Sequence, residues 1–169
     1  MVNSNIQRRH LLASLAAVGL IPNLAQAGEF IDLDWKDLIP VGQTTAPTVL
    51  QGLLEHDETL PSSQQPRSSG VRSEWNGEIV RLPGFIVPID YSGDGVTAFI
   101  LVPFVGACVH VPPPPANQLV FVTTQEPYQS SGMFEPVNVI GMFGVSSLST
   151  QLADIAYALS ADRIEPFGT

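Results

Sequence analysis

Five stretches with β-strand patterning lie in the second half of the chain. Residues 78–89 are rich in β-branched and aromatic side chains, and Pro83 and Gly84 predict a bend within this first strand. Residues 146–155 predict a short helix or a linker before the last strand. A long, bent first strand with four successors predicts a mainly β protein with a small OB-like five-stranded barrel, and an open sandwich is the alternative. The other predicted strands are residues 96–103, 119–123, 136–144 and 156–166.

The first half of the chain predicts a short helical N-terminal arm. Residues 34–40 predict one helical turn that ends at Pro40, and residues 49–54 predict a short amphipathic helix. Residues 61–70 are rich in Pro, Ser and Gln, which predicts a mobile loop or linker. The chain therefore divides into a leader (residues 1–27), an arm with a linker (residues 28–76) and a barrel domain (residues 77–169).

The leader has the pattern of a secretory signal peptide. Arg8 and Arg9 precede an apolar run over residues 11–21, and a small-residue cleavage pattern ends at Ala27. The adjacent arginines favour twin-arginine export. The apolar run is shorter than the roughly 20 residues that span a membrane. We therefore expect cleavage after Ala27 and a soluble periplasmic protein that is not an integral membrane protein.

The charge balance favours some classes of partner over others. The formal net charge of the chain is −9, and it becomes more negative once the two leader arginines are removed. An acidic surface repels phosphate backbones and anionic lipids. We therefore expect no nucleic-acid partner, although OB-like barrels often bind nucleic acids.

The main candidate site is the pair Cys108 and His110. If residues 107–111 are extended, the two side chains point to the same side, because side chains alternate along a strand. A thiolate and an imidazole suit zinc or copper, and zinc needs three or four protein ligands. His56 and Asp57 are weaker candidates for the missing ligands, as are the carboxylates of Glu55 and Asp90.

Two other interpretations of this region stay open. An adjacent imidazolium could lower the pKa of the Cys108 thiol and make it a nucleophile. Alternatively, Cys108 is a small core residue, since a single cysteine forms no intramolecular disulfide. The prolines at residues 112–115 would then be a rigid segment at the barrel rim or a surface for a partner protein. The amides of Asn117 and Gln118 could tie this loop to the body of the protein.

Three sequence blocks resemble a known family of exported bacterial proteins, domain of unknown function 3299 (DUF3299). The resemblance covers roughly residues 30–167. The family pattern includes the positions of Cys108 and His110. Some members look like accessory components encoded beside ABC-type export permeases and zinc-regulated genes, and this association implies a metal-related role in the envelope. The blocks are WKDLIP (residues 35–40), LPGFIVP (82–88) and VGACVHVPPPPANQ (105–118).

Three hypotheses of function follow from these residues and this resemblance. The first is a periplasmic protein that binds or handles metal, with zinc held by Cys108 and His110, as an accessory to an envelope transport system. The second is a non-catalytic OB-like module that docks on an ABC-type permease or another envelope protein. The third is a thiol-dependent enzyme with Cys108 as the nucleophile, although no third catalytic member is evident.

Overall fold

Six strands and two 3₁₀ turns form the regular structure of the residues that the structure describes. The computed structural model describes residues 30–43, 65–108 and 113–167. Among these residues, no helix combines the length and the apolar character that a membrane-crossing helix requires. The elements are β1 (Ile31–Asp32), a first 3₁₀ turn (Trp35–Leu38), β2 (Ile79–Ser92), β3 (Gly95–Val102), a second 3₁₀ turn (Ala116–Gln118), β4 (Val120–Tyr128), β5 (Pro136–Ser149) and β6 (Asp154–Pro166).

Strands β2 to β6 close into a barrel. β2 pairs antiparallel with both β3 and β5. β3 pairs antiparallel with β4, and β5 pairs antiparallel with β6. The remaining contact, between β4 and β6, is parallel. The order around the barrel is therefore β2-β3-β4-β6-β5, with β5 returning to β2. This arrangement confirms the predicted mainly β, OB-like five-stranded barrel, and the open-sandwich alternative is wrong.

β2 serves two neighbours because it changes partner halfway along its length. Its first half pairs with β5 as far as Phe85, and its second half pairs with β3 from Phe85 onward. The change occurs beside Gly84, where an added Cβ would lie 2.7 Å from Cγ of Leu101. Glycine therefore permits the close approach of β2 and β3 at this point. The change of partner coincides with the bend predicted at Pro83 and Gly84.

The helix predicted at residues 146–155 is wrong, and the alternative of a linker holds only for residues 150–153. β5 continues to Ser149, which pairs with Asp154 at the start of β6. The Thr150 hydroxyl accepts a hydrogen bond from the backbone N–H of Ala153 at 3.0 Å and closes the turn between the two strands. The serines of this stretch interrupt the apolar pattern, so the hairpin depends on cross-strand pairing that the local pattern does not reveal.

The inside of the barrel holds the main core. Alternate residues of each strand point inward, as the period of two requires. Tyr157 and Phe143 are fully or almost fully buried, and their ring centroids lie 5.1 Å apart. Two residues of the arm, Leu33 and Leu38, join this cluster. The barrel members of the main core are Val80, Leu82, Ile86, Val96, Phe99, Leu101, Val120, Val122, Val137, Val139, Phe143, Ala156, Tyr157, Leu159 and Ala161.

The N-terminal arm packs directly on the barrel. β1 pairs parallel with β2. The indole N–H of Trp35 donates to the carbonyl of Pro83 at 2.7 Å, and the hydroxyl of Tyr157 donates to the carbonyl of Leu38 at 2.9 Å. The turn predicted at residues 34–40 is the first 3₁₀ turn. The helix predicted at residues 49–54 lies outside the described residues.

Residues 65–70 are irregular, as the loop prediction expects, but hydrogen bonds attach them to the barrel side. The Gln65 amide donates to the carbonyls of Pro114 and Asp154, both at 2.8 Å, and accepts from the backbone N–H of Asp154. Further along, the backbone N–H of Arg72 donates to the Tyr157 hydroxyl at 2.7 Å. This part of the predicted mobile loop is therefore anchored.

Candidate functional site

The loop between β3 and β4 covers part of the outer surface of the barrel with its described residues, 103–108 and 113–119. We call it the covering loop. Phe99 and Leu101 of β3 point inward, so Ile100 and Val102 point outward, yet both are fully buried. Their burial results from a second apolar cluster, the outer cluster, to which the covering loop contributes. Its members are Val87, Ile100, Val102, Ala107, Cys108, Leu119, Ala153 and Ile155.

A left-handed turn places Ala107 and Cys108 in the outer cluster. Gly106 has a φ of 93° and Cys108 a φ of 67°. A left-handed φ at a residue with a side chain costs roughly 1–2 kcal/mol. The assumption that residues 107–111 are extended is therefore wrong at Cys108, because alternation of side chains applies only to extended backbone. The shared direction predicted for Cys108 and His110 loses its basis.

The environment of Cys108 is that of a core residue. Its exposed fraction is 1%, and burial raises the pKa of its thiol to about 12. A reactive cysteine instead lies in a partly exposed, electropositive site that lowers its pKa. At neutral pH the thiol of Cys108 is protonated, which opposes the hypothesis of a thiol nucleophile and agrees with the core interpretation.

The zinc site stays a prediction. His110, His56 and Asp57 all lie outside the described residues. Within the part of the chain that the structure describes, no three His, Cys, Asp or Glu side chains are grouped so that they could hold a metal. Asp90, one of the other proposed ligands, is exposed near the end of β2 and accepts a hydrogen bond from the backbone N–H of Tyr91.

The proline run is largely part of the packed structure. Pro113 and Pro114 are buried and Pro115 is half-buried, whereas Pro112 lies outside the described residues. The prediction that this run offers a surface to a partner is therefore wrong for its buried members, whose rings pack against the protein. Among the described residues of the covering loop, the exposed apolar side chains are instead at its start, where Phe104 is 38% and Val105 is 61% exposed.

The amides of Asn117 and Gln118 connect the covering loop to the N-terminal half of the chain. Asn117 Nδ2 donates to the Ser69 hydroxyl at 3.0 Å and to the carbonyl of Gly70 at 2.9 Å. Gln118 Nε2 donates to the carbonyl of Trp35 at 2.9 Å. The predicted attachment of the loop through these two amides is present, and the groups that they bond to lie in the first 3₁₀ turn and at residues 69–70. Asn117 Oδ1 is buried without a hydrogen-bond partner.

A second polar group, at the opposite end of β4, was not anticipated from the sequence. The Glu135 carboxylate accepts hydrogen bonds from the hydroxyls of Tyr128 at 2.9 Å and Ser130 at 2.8 Å, and from the backbone N–H of Ser131 at 2.7 Å. Burial alone would raise the pKa of Glu135, but these hydrogen bonds outweigh it and lower the pKa. Burial and the neighbouring carboxylate raise the pKa of Tyr128 to about 12. This group fixes the loop between β4 and β5.

Ion pairs neutralise most of the positive charge on the described surface. Of the five basic side chains in the described residues, only Arg67 has no acidic side chain within ion-pair distance. A surface of this kind offers little to phosphate groups. The pairs are Lys36 with Asp34, Arg72 with Glu74, Arg81 with Asp32, and Arg163 with Glu165.

Comparison with known families decides the relationship that the sequence blocks suggested. The family model described as "Protein of unknown function (DUF3299)" matches residues 35–166, which include the covering loop and the whole barrel. The chain belongs to the DUF3299 family. A comparison of this DUF3299 chain with curated proteins finds no match.

A solved DUF3299 structure has the same fold. The crystal structure of a DUF3299 family protein (PA4066) from Pseudomonas aeruginosa PAO1 is similar to this chain, with a TM-score of 0.74 and 37% sequence identity. The match covers 84% of this chain and 99% of that chain. The shared fold therefore extends over nearly the full length of that relative.

Proposed function

We propose that this DUF3299 protein is a non-catalytic binding module of the bacterial envelope. The barrel is the scaffold, and the start of the covering loop contacts a partner protein. One observation carries the proposal. Ala107 and Cys108 anchor the loop in the outer cluster, while Phe104 and Val105 stay exposed a few residues earlier. The loop thus presents apolar side chains beside the strand face that OB barrels commonly use for ligands.

Hydrogen bonds within the protein already occupy the polar side chains of this region. This supports a binding role over a catalytic one. Gln65, Asn117 and Gln118 all bond to backbone carbonyls. The thiol of Cys108 is buried and protonated at neutral pH. The exposed start of the covering loop therefore binds a partner through apolar contacts.

The charge and the family resemblance indicate the type of partner. Exposed Phe and Val side chains favour an apolar contact, and a net charge of −9 favours a partner whose contact is bordered by basic residues. The resemblance to DUF3299 members that accompany ABC-type permeases points to a permease or another envelope protein. Export by a signal peptide cleaved after Ala27, and residence in the periplasm, are part of the proposal.

The test compares two double variants of the mature protein. Phe104→Ser with Val105→Ser removes the proposed contact, whereas Met142→Ser with Val145→Ser removes exposed apolar residues from β5 as a matched control. We expect an envelope protein to crosslink to the wild type and the control, and to be lost at least about ten-fold in the loop variant. Equal crosslinking of all three proteins would overturn the proposal. Cell fractionation tests the periplasmic location separately.

Zinc binding is the second candidate, supported by the chemistry of a thiol and an imidazole two residues apart. A bound cation would also compensate for the burial of an ionised Cys108 side chain. The test is elemental analysis of mature protein purified without chelator. Zinc binding predicts about one equivalent of metal. It also predicts loss of the metal from both Cys108→Ala and His110→Ala. Full metal retention in these variants would contradict the ligand assignment.

A further inference from the structure

We propose that residues 103–108 form a displaceable cover, which opens while the barrel stays folded. Opening uncovers the outward apolar face of β2 and β3 around Val87, Ile100 and Val102. The inference goes beyond the proposed binding function, because the opening is a property of the chain alone and needs no partner.

The two described halves of the covering loop are anchored differently. In residues 113–118, the carbonyl of Pro114 and the amides of Asn117 and Gln118 take part in hydrogen bonds with the arm or with residues 65–70. In residues 103–108, the thiol of Cys108 is the only side-chain group capable of a hydrogen bond. Apolar burial of Ala107 and Cys108 therefore carries most of the side-chain attachment of the cover.

The barrel wall separates the cover from the main core. Ile100 and Val102 belong to the outer cluster, whereas Phe99 and Leu101 of the same strand belong to the main core. Removing the cover exposes the outward residues and leaves the inward ones packed. The backbone pairing of β3 with β2 and β4 also stays intact, since it does not include residues 103–108.

The backbone of the cover favours opening. Cys108 is held at a φ of 67°, in the left-handed region that is unfavourable for a residue with a side chain. The unfavourable backbone conformation is released when residues 103–108 move away from the barrel. A segment held against such strain by a few small apolar side chains and a single backbone bridge at Ala107 belongs to the low-stability parts of a protein, which open locally below the free energy of global unfolding.

Labelling of the Cys108 thiol reports the opening directly. Mature protein is exposed to a thiol reagent at pH 8 over a series of urea concentrations below the unfolding transition. The matched control carries Val122→Cys in a Cys108→Ala background, because Val122 is fully buried in the main core. We expect Cys108 to react about ten-fold faster or more than the control thiol, with a rate that hardly depends on urea.

The opposite result has a distinct signature. If both thiols react at similar rates, with the steep urea dependence of global unfolding, the cover opens only with the barrel and the inference is overturned. Because the reagent reports on this chain alone, a failure here leaves the crosslinking test of the proposed function untouched.

Gly106→Ala provides a second test that does not depend on the folding of the control variant. Gly106 has a φ of 93°, which disfavours alanine and so destabilises the closed cover. We expect Cys108 to react about five-fold faster or more in this variant, with a rate that still hardly depends on urea below the unfolding transition. An unchanged labelling rate, or faster labelling with the steep urea dependence of global unfolding, would show that the cover does not open separately from the barrel, and would overturn the inference.

Discussion

The main core and the outer cluster are both buried and apolar, but different parts of the chain build them. Paired strands supply most of the main core, and each inward residue lies on a hydrogen-bonded ladder. The outer cluster uses outward residues of β2, β3 and β6, and an irregular loop supplies Ala107 and Cys108 to cover them. The difference shows that burial in this protein has two origins, closure of the barrel and coverage by a loop.

Neighbouring substitutions in β3 give the largest expected effect and compare the two clusters directly. Leu101→Ala empties space in the main core and should lower the free energy of unfolding by about 2–5 kcal/mol. Val102→Ala removes two methyl groups from the outer cluster and should cost about 1–2 kcal/mol. Urea unfolding of both variants measures the difference. Equal losses of unfolding free energy in the two variants would contradict the distinction between the main core and the outer cluster.

Tyr157→Phe tests whether the arm belongs to the main core. The hydroxyl donates to the carbonyl of Leu38 and accepts from the backbone N–H of Arg72. Removing it leaves buried polar groups without their partner, which should cost about 1–3 kcal/mol of unfolding free energy. Urea unfolding and limited proteolysis are measured together. An unchanged midpoint with faster proteolysis of the arm would show that the arm is attached independently of the barrel.

The dependence of stability on alkaline pH sharpens the description of the outer cluster. Burial raises the pKa of the Cys108 thiol from 9.0 to about 12, so the unfolded chain loses its thiol proton first. The contribution of this group is complete below pH 9 and is lost as the pH rises towards 12, by up to about 1.4 kcal/mol per pH unit. Unfolding of wild type and Cys108→Ala at pH 8 and pH 10 measures this loss. The wild type should lose more stability than the variant, and parallel losses would contradict a buried thiol.

Glu135→Gln is expected to have the smallest effect, because the substitution keeps the shape of the side chain and Glu135 is a member of neither cluster. The carboxylate accepts three hydrogen bonds that fix the loop after β4, and an amide oxygen keeps part of them. We expect a loss of about 1 kcal/mol at neutral pH. Since the pKa of Glu135 is lowered, its contribution disappears as the pH falls below its ordinary value of 4.5, where wild type and variant should converge. A constant difference down to strongly acidic pH would show that ionisation of Glu135 does not stabilise the loop.

Local patterns predicted the barrel because strand alternation and turn residues are local signals. The bend at Pro83 and Gly84 and the strands that bring Phe99 and Leu101 inward follow from such signals. The candidate site depends on distant contacts. Asn117 bonds to Gly70, 47 residues away in the sequence, and no local pattern reveals that partner.

The conformation of Cys108 was also hidden from the sequence. Left-handed backbone is typical of Gly, Asn and Asp, so a cysteine gives no warning of it. Gly106 was the one local signal of a turn at this place, since glycine adopts such conformations at little cost. Reading that glycine as a turn would have removed the basis for a shared direction of Cys108 and His110.

Barrel closure also determines how a partner can recognise this protein. Each of the five barrel strands is hydrogen-bonded to two neighbouring strands, so the free backbone edges among the described residues are those of the two-residue β1 and of strand ends that extend past a neighbour. Many binding proteins capture a peptide by adding it as an extra strand to an open sheet edge. Here the barrel offers little edge for strand addition, and specificity must come from side chains. The sequence requirements of a partner should therefore lie in the shape and polarity of its surface, with little demand for an extended segment.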